Sequence, residues 1–318
     1  VERGTTTSGR FSGRSTLRTL SGTTQIQPPN VEMGIANNGT LYTAFLLEDG
    51  TIATARRSTD GRWTQLPTIG LPVDGAKVDF FRMDVPSSGP AVMGIAQGGD
   101  VTVRRLTSAA DAWSAPETVA SGAYTPAADL PTSLPVGTAA PSFPVMTGFD
   151  VATNSKQDVA VAWGTSGAFQ TFPGVGVLFG GDDAQIRYSR VMRTRDASAW
   201  PTATTTEEPT YEAGLSSFAL RDVTIEMDND RRAVVAYTSA GATQGNDNPL
   251  AVATWNGTSA RAWSATQEFS RFCDTSGSVV GPSLATSGTR GVVVAWGCAS
   301  SAPSANFAPR LVLTRSFR

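Results

Sequence analysis

Short runs of alternating apolar and polar positions recur along the chain, separated by turns rich in glycine, asparagine and aspartate. Each recurrence has an apolar strand, a turn, a second strand ending in arginine, a small polar turn and then tryptophan. It reads 42–47, Arg56 and Trp63; 91–96, Arg104 and Trp113; 159–163, Arg187 and Trp200; 233–237 and Trp263; and, in part, 292–296 and Arg315. The first two units superimpose without gaps at an offset of 50 residues, matching Met33 with Met83, Gly39 with Gly89, Ser58 with Ser108 and Trp63 with Trp113. One such unit cannot bury its own apolar face, so its neighbours must cover it.

Within the first unit the alternation predicts strands at 31–36, 41–47, 51–56 and 63–69. The turns Asn37-Asn38-Gly39 and Glu48-Asp49-Gly50 predict two-residue type I′ hairpins, whose central positions need positive φ. No segment carries the period of an amphipathic helix, and 32 glycines with 19 prolines suit a turn-rich, all-β chain. Centres of the inner strands fall near 44, 94, 161, 235 and 294, spacings that four short strands and their turns require in a propeller blade. The reading is therefore a single domain, 1–318, folded as a five-bladed β-propeller of four-stranded antiparallel blades. The last unit stops after its third strand, and residues 11–20 are expected to close the ring by pairing beside 311–317. A six-bladed ring, the alternative, would draw on 115–143, which is rich in proline and alanine. Trp63, Trp113, Trp200 and Trp263 recur at one place in the unit and read as aromatics packed between blades, with Trp163, Tyr237 and Trp296 structural as well.

Composition narrows the chemistry. The 318 residues include no histidine, which excludes imidazole bases, Ser-His-Asp and Cys-His hydrolases and HExxH zinc sites. There is no G-x-S-x-G, phosphate-loop G-K-S/T or C-x-x-C. Gly174, Gly176 and Gly180 imitate a dinucleotide fingerprint, but no helix pattern follows, so no cofactor is expected. Asp228-Asn229-Asp230 occupies a hairpin position and reads as a turn, so no metal is expected either. A net charge of -2, from 25 basic and 27 acidic residues, favours neither nucleic acid nor an anionic membrane, and no apolar run is long enough for membrane insertion. The start at Val1 and the Ala, Gly, Ser, Thr and Arg bias point to a processed, secreted bacterial protein. Cys273 and Cys298, 25 positions apart, are either a structural disulfide contributing ~3 kcal/mol or two buried thiols.

Long insertions at 164–183, 239–248 and 297–309, with the links 115–143 and 201–217, fall on one face of such a propeller. The expected binding set on that face is Phe169, Phe172, Phe179, Asp182 and Asp183 from a glycine-rich loop, with Tyr124, Tyr211, Asn246 and Phe307. The phenylalanines demand cover, from this chain or from a partner protein. Carboxylates are the only route to catalysis: Glu32, Asp79, Asp150 and Asp222 fall on innermost strands, with Arg82 and Arg221 among them.

Ser58-Thr59-Asp60-Gly61-Arg62-Trp63, echoed at 108–113 and 194–200, resembles a shortened Asp box, the S-x-D-x-G-x-x-W hairpin turn of sialidase-type propellers. The family's F-R-I-P motif is matched in two positions by Phe81-Arg82-Met83-Asp84, in the second repeat. The resemblance implies a propeller. Five-bladed glycosidases place acid and base carboxylates where Glu32, Asp79, Asp150 and Asp222 are expected. The reading that follows is a secreted, non-catalytic protein whose loop-rich face recognises a cell-surface glycan or a partner protein in an extracellular assembly. The alternatives are a glycoside hydrolase using the channel carboxylates, and a structural subunit with 169–179 as its interface.

Overall fold

The computed structural model describes residues 2–4, 11–14, 31–70, 76–107, 111–126, 129, 143–172, 176–179, 185–192, 219–230, 232–240, 250–255, 267–268, 277–287, 291–300 and 308–314. Their strands form five antiparallel sheets in chain order and one small two-stranded sheet. The first sheet is a meander of Val31–Ile35, Leu41–Leu46, Ile52–Arg57 and Trp63–Ile69, each within about a residue of the run read from the alternation. The second comprises Val78–Asp84, Val92–Gln97 and Asp100–Thr107, with Ala112–Trp113 and Glu117–Ala120 both pairing the last of these. The third holds Phe143–Thr153, Val159–Phe172 and Gln185–Met192, with Gly176–Phe179 pairing the far end of its second strand. The fourth is Ala219–Met227, Ala233–Ala240, Leu250–Trp255 and Gln267–Glu268, and the fifth Gly277–Ser287, Gly291–Ser300 and Ala308–Thr314.

Successive sheets stack because a strand's period of two gives it two rows of side chains. On each first strand after the opening one, one row packs back on the sheet before. Phe81 and Met83 bury against Ala44 and Ile52, Phe149 and Val151 against Val92, Ala96 and Val101, and Val223, Ile225 and Met227 against Ala152, Ala160 and Ala162. At one matched register position the receiving residue is small, Ala44, Gly94 and Ala162 in turn, so that the sheets can approach. A Cβ on Gly94 would lie 2.8 Å from Phe149 Cζ. Trp113 packs between the first two sheets and its indole N–H donates to Thr54 Oγ1 at 3.0 Å, Trp163, Tyr237 and Trp296 are buried, and Trp63 is only half-buried. Trp200 and Trp263 lie outside the described residues.

Among the described residues Phe11–Arg14 pairs with Glu2–Gly4 and Ala308–Thr314 with Gly291–Ser300, while 15–20 and 315–317 of the expected closing pair lie outside them. A partner a few residues away costs far less loop-closure entropy than one near the other end of the chain. Two expectations are corrected. The segment holding Phe169, Phe172 and Phe179 is not an irregular loop, because the second strand runs on to Phe172 and Gly176–Phe179 returns beside it. Its aromatic and β-branched residues suit an extended hairpin better than a coil. The turns after the first and second strands are not type I′ either. Gly39 and Gly50 have φ of 83° and 79°, no asparagine or aspartate in those turns joins them at positive φ, and Gly39 N–H donates to Ala36 O, the three-residue turn with a single left-handed position.

Candidate active site

The other row meets the sheet that follows, as where Glu32 reaches Arg82, Asp84 reaches Thr153 and Asp150 reaches Thr224. Aligned by register and by the turn that follows, the first strands place Glu32, Arg82, Asp150, Thr224 and Ser283 in one tier. Two residues on, Gly34, Asp84, Ala152, Glu226 and Ala285 form a second tier.

The first tier is internally satisfied. Arg82 Nη1 lies 3.0 Å from Glu32 Oε1, joining the first two sheets. Asp150 joins the third and fourth: its Oδ2 accepts from Thr224 Oγ1 at 2.8 Å and from Ile225 N–H at 2.9 Å, and its Oδ1 from Val151 N–H at 2.9 Å. Burial lifts the Asp150 carboxyl above its ordinary range despite these donors, and lifts Glu32 to about 7 against the opposing charge of Arg82. A satisfied tier of this kind holds sheets together.

The second tier opens into solvent. There lies a cavity of about 480 Å³ bordered by residues of all five sheets, including Ile35, Asp84, Thr153, Glu226 and Ala285. Asp84 accepts from Val85 N–H at 2.7 Å and from Thr153 N–H at 2.6 Å, which fixes its orientation. Burial raises it to about 6, those two bonds opposing the shift and the charge of Asp150 adding to it. Glu226 is raised further, to about 8, by burial first and then by the negative charges of Asp84 and Asp150. Two carboxyls on one cavity are thereby pushed apart, one mostly ionised and one mostly protonated at neutral pH.

The rim is rigid and polar. Asn37 N–H donates to Ser87 O at 3.1 Å, Ser155 N–H to Asn229 Oδ1 at 3.0 Å and Asn154 Nδ2 to Asp228 O at 3.0 Å, tying the turn of one sheet to the next. Asp228 accepts from Asp230 N–H, Arg232 N–H and Arg232 Nε, as the capping residue of a hairpin turn. Among the described residues there is no group of three metal-ligating side chains.

The carboxylates read from sequence divide. Glu32 and Arg82 form an ion pair, and Asp150 is near enough for its charge to act on Glu32. Asp79 does not join them: it accepts from Tyr124 O–H at 2.6 Å. Tyr124, expected on the binding face, is buried at 5% exposure, and its hydroxyl is raised by burial and by that carboxylate. A buried phenol needs a partner, and Asp79 supplies it. Asp222 lies on the first strand of the fourth sheet at a register shift between Arg221 and Thr224, and the next inward positions belong to Thr224 and Glu226. Phe169, Phe172 and Phe179 have the strand positions given above, and Cys298 lies within Gly291–Ser300. Asp182, Asp183, Tyr211, Asn246, Phe307 and Cys273 lie outside the described residues, as does any Cys273–Cys298 bridge. Asp84 and Glu226 were missed. Each stands two residues beyond a first-tier position, so the period of a strand was the signal that pointed to them.

The raised Glu226 carboxyl makes a prediction about stability. Its folded-state value of about 8 lies above the ordinary 4.5, so the folded chain holds an extra proton between those values. The stabilisation linked to that proton is full at low pH and is lost as pH rises through about 8. Glu226→Gln should flatten the decline, leaving the variant with a higher Tm than the wild type at pH 9 and little difference at pH 5. Scanning calorimetry at the two pH values checks it.

No family model matches the chain, and no curated protein matches it. Among solved structures, an ulvan lyase of polysaccharide lyase family PL25 is similar with a TM-score of 0.50 and 10% identity, over 89% of this chain and 70% of that one. The same type of enzyme bound to -[GlcA(1-4)Rha3S]- is similar at 0.51, with 10% identity over 89% and 70% of the two chains. A Penicillium chrysogenum α-L-arabinanase complexed with arabinobiose is similar at 0.44 and 11%, over 89% and 82%. The fold is a β-propeller. Likeness at such identity speaks to architecture alone, and the chemistry has to come from the channel.

Proposed function

We propose that the five sheets are the blades of one closed, five-bladed propeller domain, and that this exported protein hydrolyses glycosidic bonds in the cavity at the channel mouth. The observation that carries the reading is the pair Asp84 and Glu226, lining one open cavity with carboxyls raised to about 6 and about 8. Glycoside hydrolysis without histidine or metal needs such a pair: a carboxylic acid to protonate the departing oxygen and a carboxylate to activate water. Glu226, protonated at neutral pH, gives its proton to the glycosidic oxygen as the C–O bond breaks. Asp84, ionised, takes a proton from the water that adds to the sugar carbon. Exchange with solvent returns both groups to their starting states, and the net change is addition of water. The amides and hydroxyls of Asn37, Ser87, Ser155 and Asn229 at the mouth supply donors and acceptors for sugar hydroxyls. A solved structure similar to this propeller is a polysaccharide lyase, which favours a glycan substrate by analogy of fold alone.

The test is incubation of the purified chain with a panel of neutral and acidic polysaccharides, scored for new reducing ends. Cleavage of at least one member supports the proposal. Tight binding to a glycan with no cleavage of it would overturn hydrolysis in favour of a lectin-like module.

A further inference from the structure

Asp84 and Glu226 lie below the rim of their cavity, not on it. Ser87 and Asp230 at the turns are exposed, whereas Asp84 and Glu226 are only partly so. Three residues separate Asp84 from Ser87 and Glu226 from Asn229. At ~3.3 Å per extended residue, the two side chains leave the backbone on the order of 7–10 Å beneath the turns. Asp84 cannot rise towards a chain lying across the mouth, because the N–H groups of Val85 and Thr153 hold its carboxylate at 2.7 and 2.6 Å. Proton transfer needs a reacting atom within about 3 Å, so a glycosidic bond has to descend into the cavity to be cut.

The wall decides what can descend. Asp84 belongs to the second sheet and Glu226 to the fourth, and the third stands between them. The turn of the third sheet, 154–157, is fastened on both sides. Arg105 Nη1 of the second sheet donates to Gln157 O at 3.0 Å, while Asn154 Nδ2 donates to Asp228 O and Ser155 N–H to Asn229 Oδ1 of the fourth, each at 3.0 Å. These ties are rigid: Arg105 is buried and paired with Glu117 at 3.0 Å, and the buried Asn154 accepts through Oδ1 from the N–H groups of Lys156 and Asp158. Beyond Asp84, Asn37 N–H donates to Ser87 O and bridges the first and second sheets. Among the described residues, the wall from the first sheet to the fourth is thus bridged at every junction. A polymer threading between the two carboxyls would have to leave through the third sheet, where there is no exit.

We infer that the site takes the terminal segment of a glycan chain and not its interior, so that cleavage is exo-acting. Exo-action rests on the hydrolysis proposed above, whereas recognition of an end rests on the wall alone. The volume of about 480 Å³ suits a short terminal segment, within the ~300–1,000 Å³ of pockets that enclose small ligands.

One experiment on the full chain separates the two parts. Xylan, galactan, mannan and polygalacturonate are each fractionated into a short and a long pool and incubated with the protein. Where a polymer is cleaved, a single small product should account for the new reducing ends from the earliest time points, while the viscosity of the long pool stays near its starting value. A ladder of intermediate sizes with early loss of viscosity would overturn the inference and leave hydrolysis standing. Where a polymer is bound without cleavage, the protein bound per chain, measured by sedimentation, should be the same for both pools. That result removes hydrolysis and keeps the recognition of ends, and binding in proportion to chain length would overturn it. Neither cleavage nor binding of any of the four would overturn both.

Discussion

Glu226→Gln is expected to lower glycan cleavage by roughly 10² to 10⁴, the usual contribution of a positioned proton donor. The amide keeps the volume and the hydrogen-bonding capacity of the side chain but has no proton to give, so substrate binding should survive while turnover falls. Asp84→Asn should have an effect of similar size for the opposite reason, removing the acceptor while Val85 and Thr153 N–H still hold the side chain in place. The pH dependence separates the two roles. Activity needs Asp84 ionised and Glu226 protonated, so the wild-type profile should rise through about 6 and fall through about 8. With a substrate bearing an activated leaving group, which needs no acid, Glu226→Gln should recover most of its rate and lose the alkaline limb. Kinetics across that pH range, for both variants, check each step. If both carboxamide variants cleave at the wild-type rate, the pair has no part in the chemistry.

Gly148→Val is expected to destabilise the fold by about 3 kcal/mol, near the upper end of the usual cost of overpacking. Gly148 faces the first strand of the fourth sheet, and a Cβ there would sit 2.8 Å from the backbone nitrogen of Val223 and 3.2 Å from its Cγ2. A backbone atom cannot rotate away as a flexible side chain can. The two sheets would have to separate, and the same separation would stretch the bonds from Thr224 Oγ1 and Ile225 N–H to Asp150. The variant should therefore unfold at lower denaturant with little change in the slope of its transition, and lose catalytic efficiency even while folded. Gly148→Ser should fall between wild type and Gly148→Val. A valine variant as stable as the wild type would mean that the third and fourth sheets are not packed this closely.

Much of the architecture was legible because it rests on local signals. Alternation and turn glycines placed the strands of the first sheet to within about a residue, and the 50-residue offset survives in the structure as matched register, Glu32 with Ala44 and Arg82 with Gly94. What stayed hidden was pairing, which carries no local signature. Residues 11–14 look like a strand and are one, but nothing in them names Glu2–Gly4 as partner. The site was half legible for a related reason. Choosing carboxylates at the start of innermost strands led to Glu32 and Asp150, which are consumed in tying sheets together, and to Asp79, which serves Tyr124. Asp84 and Glu226 share a cavity whose wall draws on residues of all five sheets, and that neighbourhood exists only once the sheets are in register.

The central claim is that Asp84 and Glu226 share one cavity in different protonation states at neutral pH. Side-chain carboxyl ¹³C titration of the wild type, Asp84→Asn and Glu226→Gln tests it most directly. The account predicts one midpoint near 6 that vanishes in Asp84→Asn and one near 8 that vanishes in Glu226→Gln. Both carboxyls titrating near the ordinary values of 3.8 and 4.5 would contradict it.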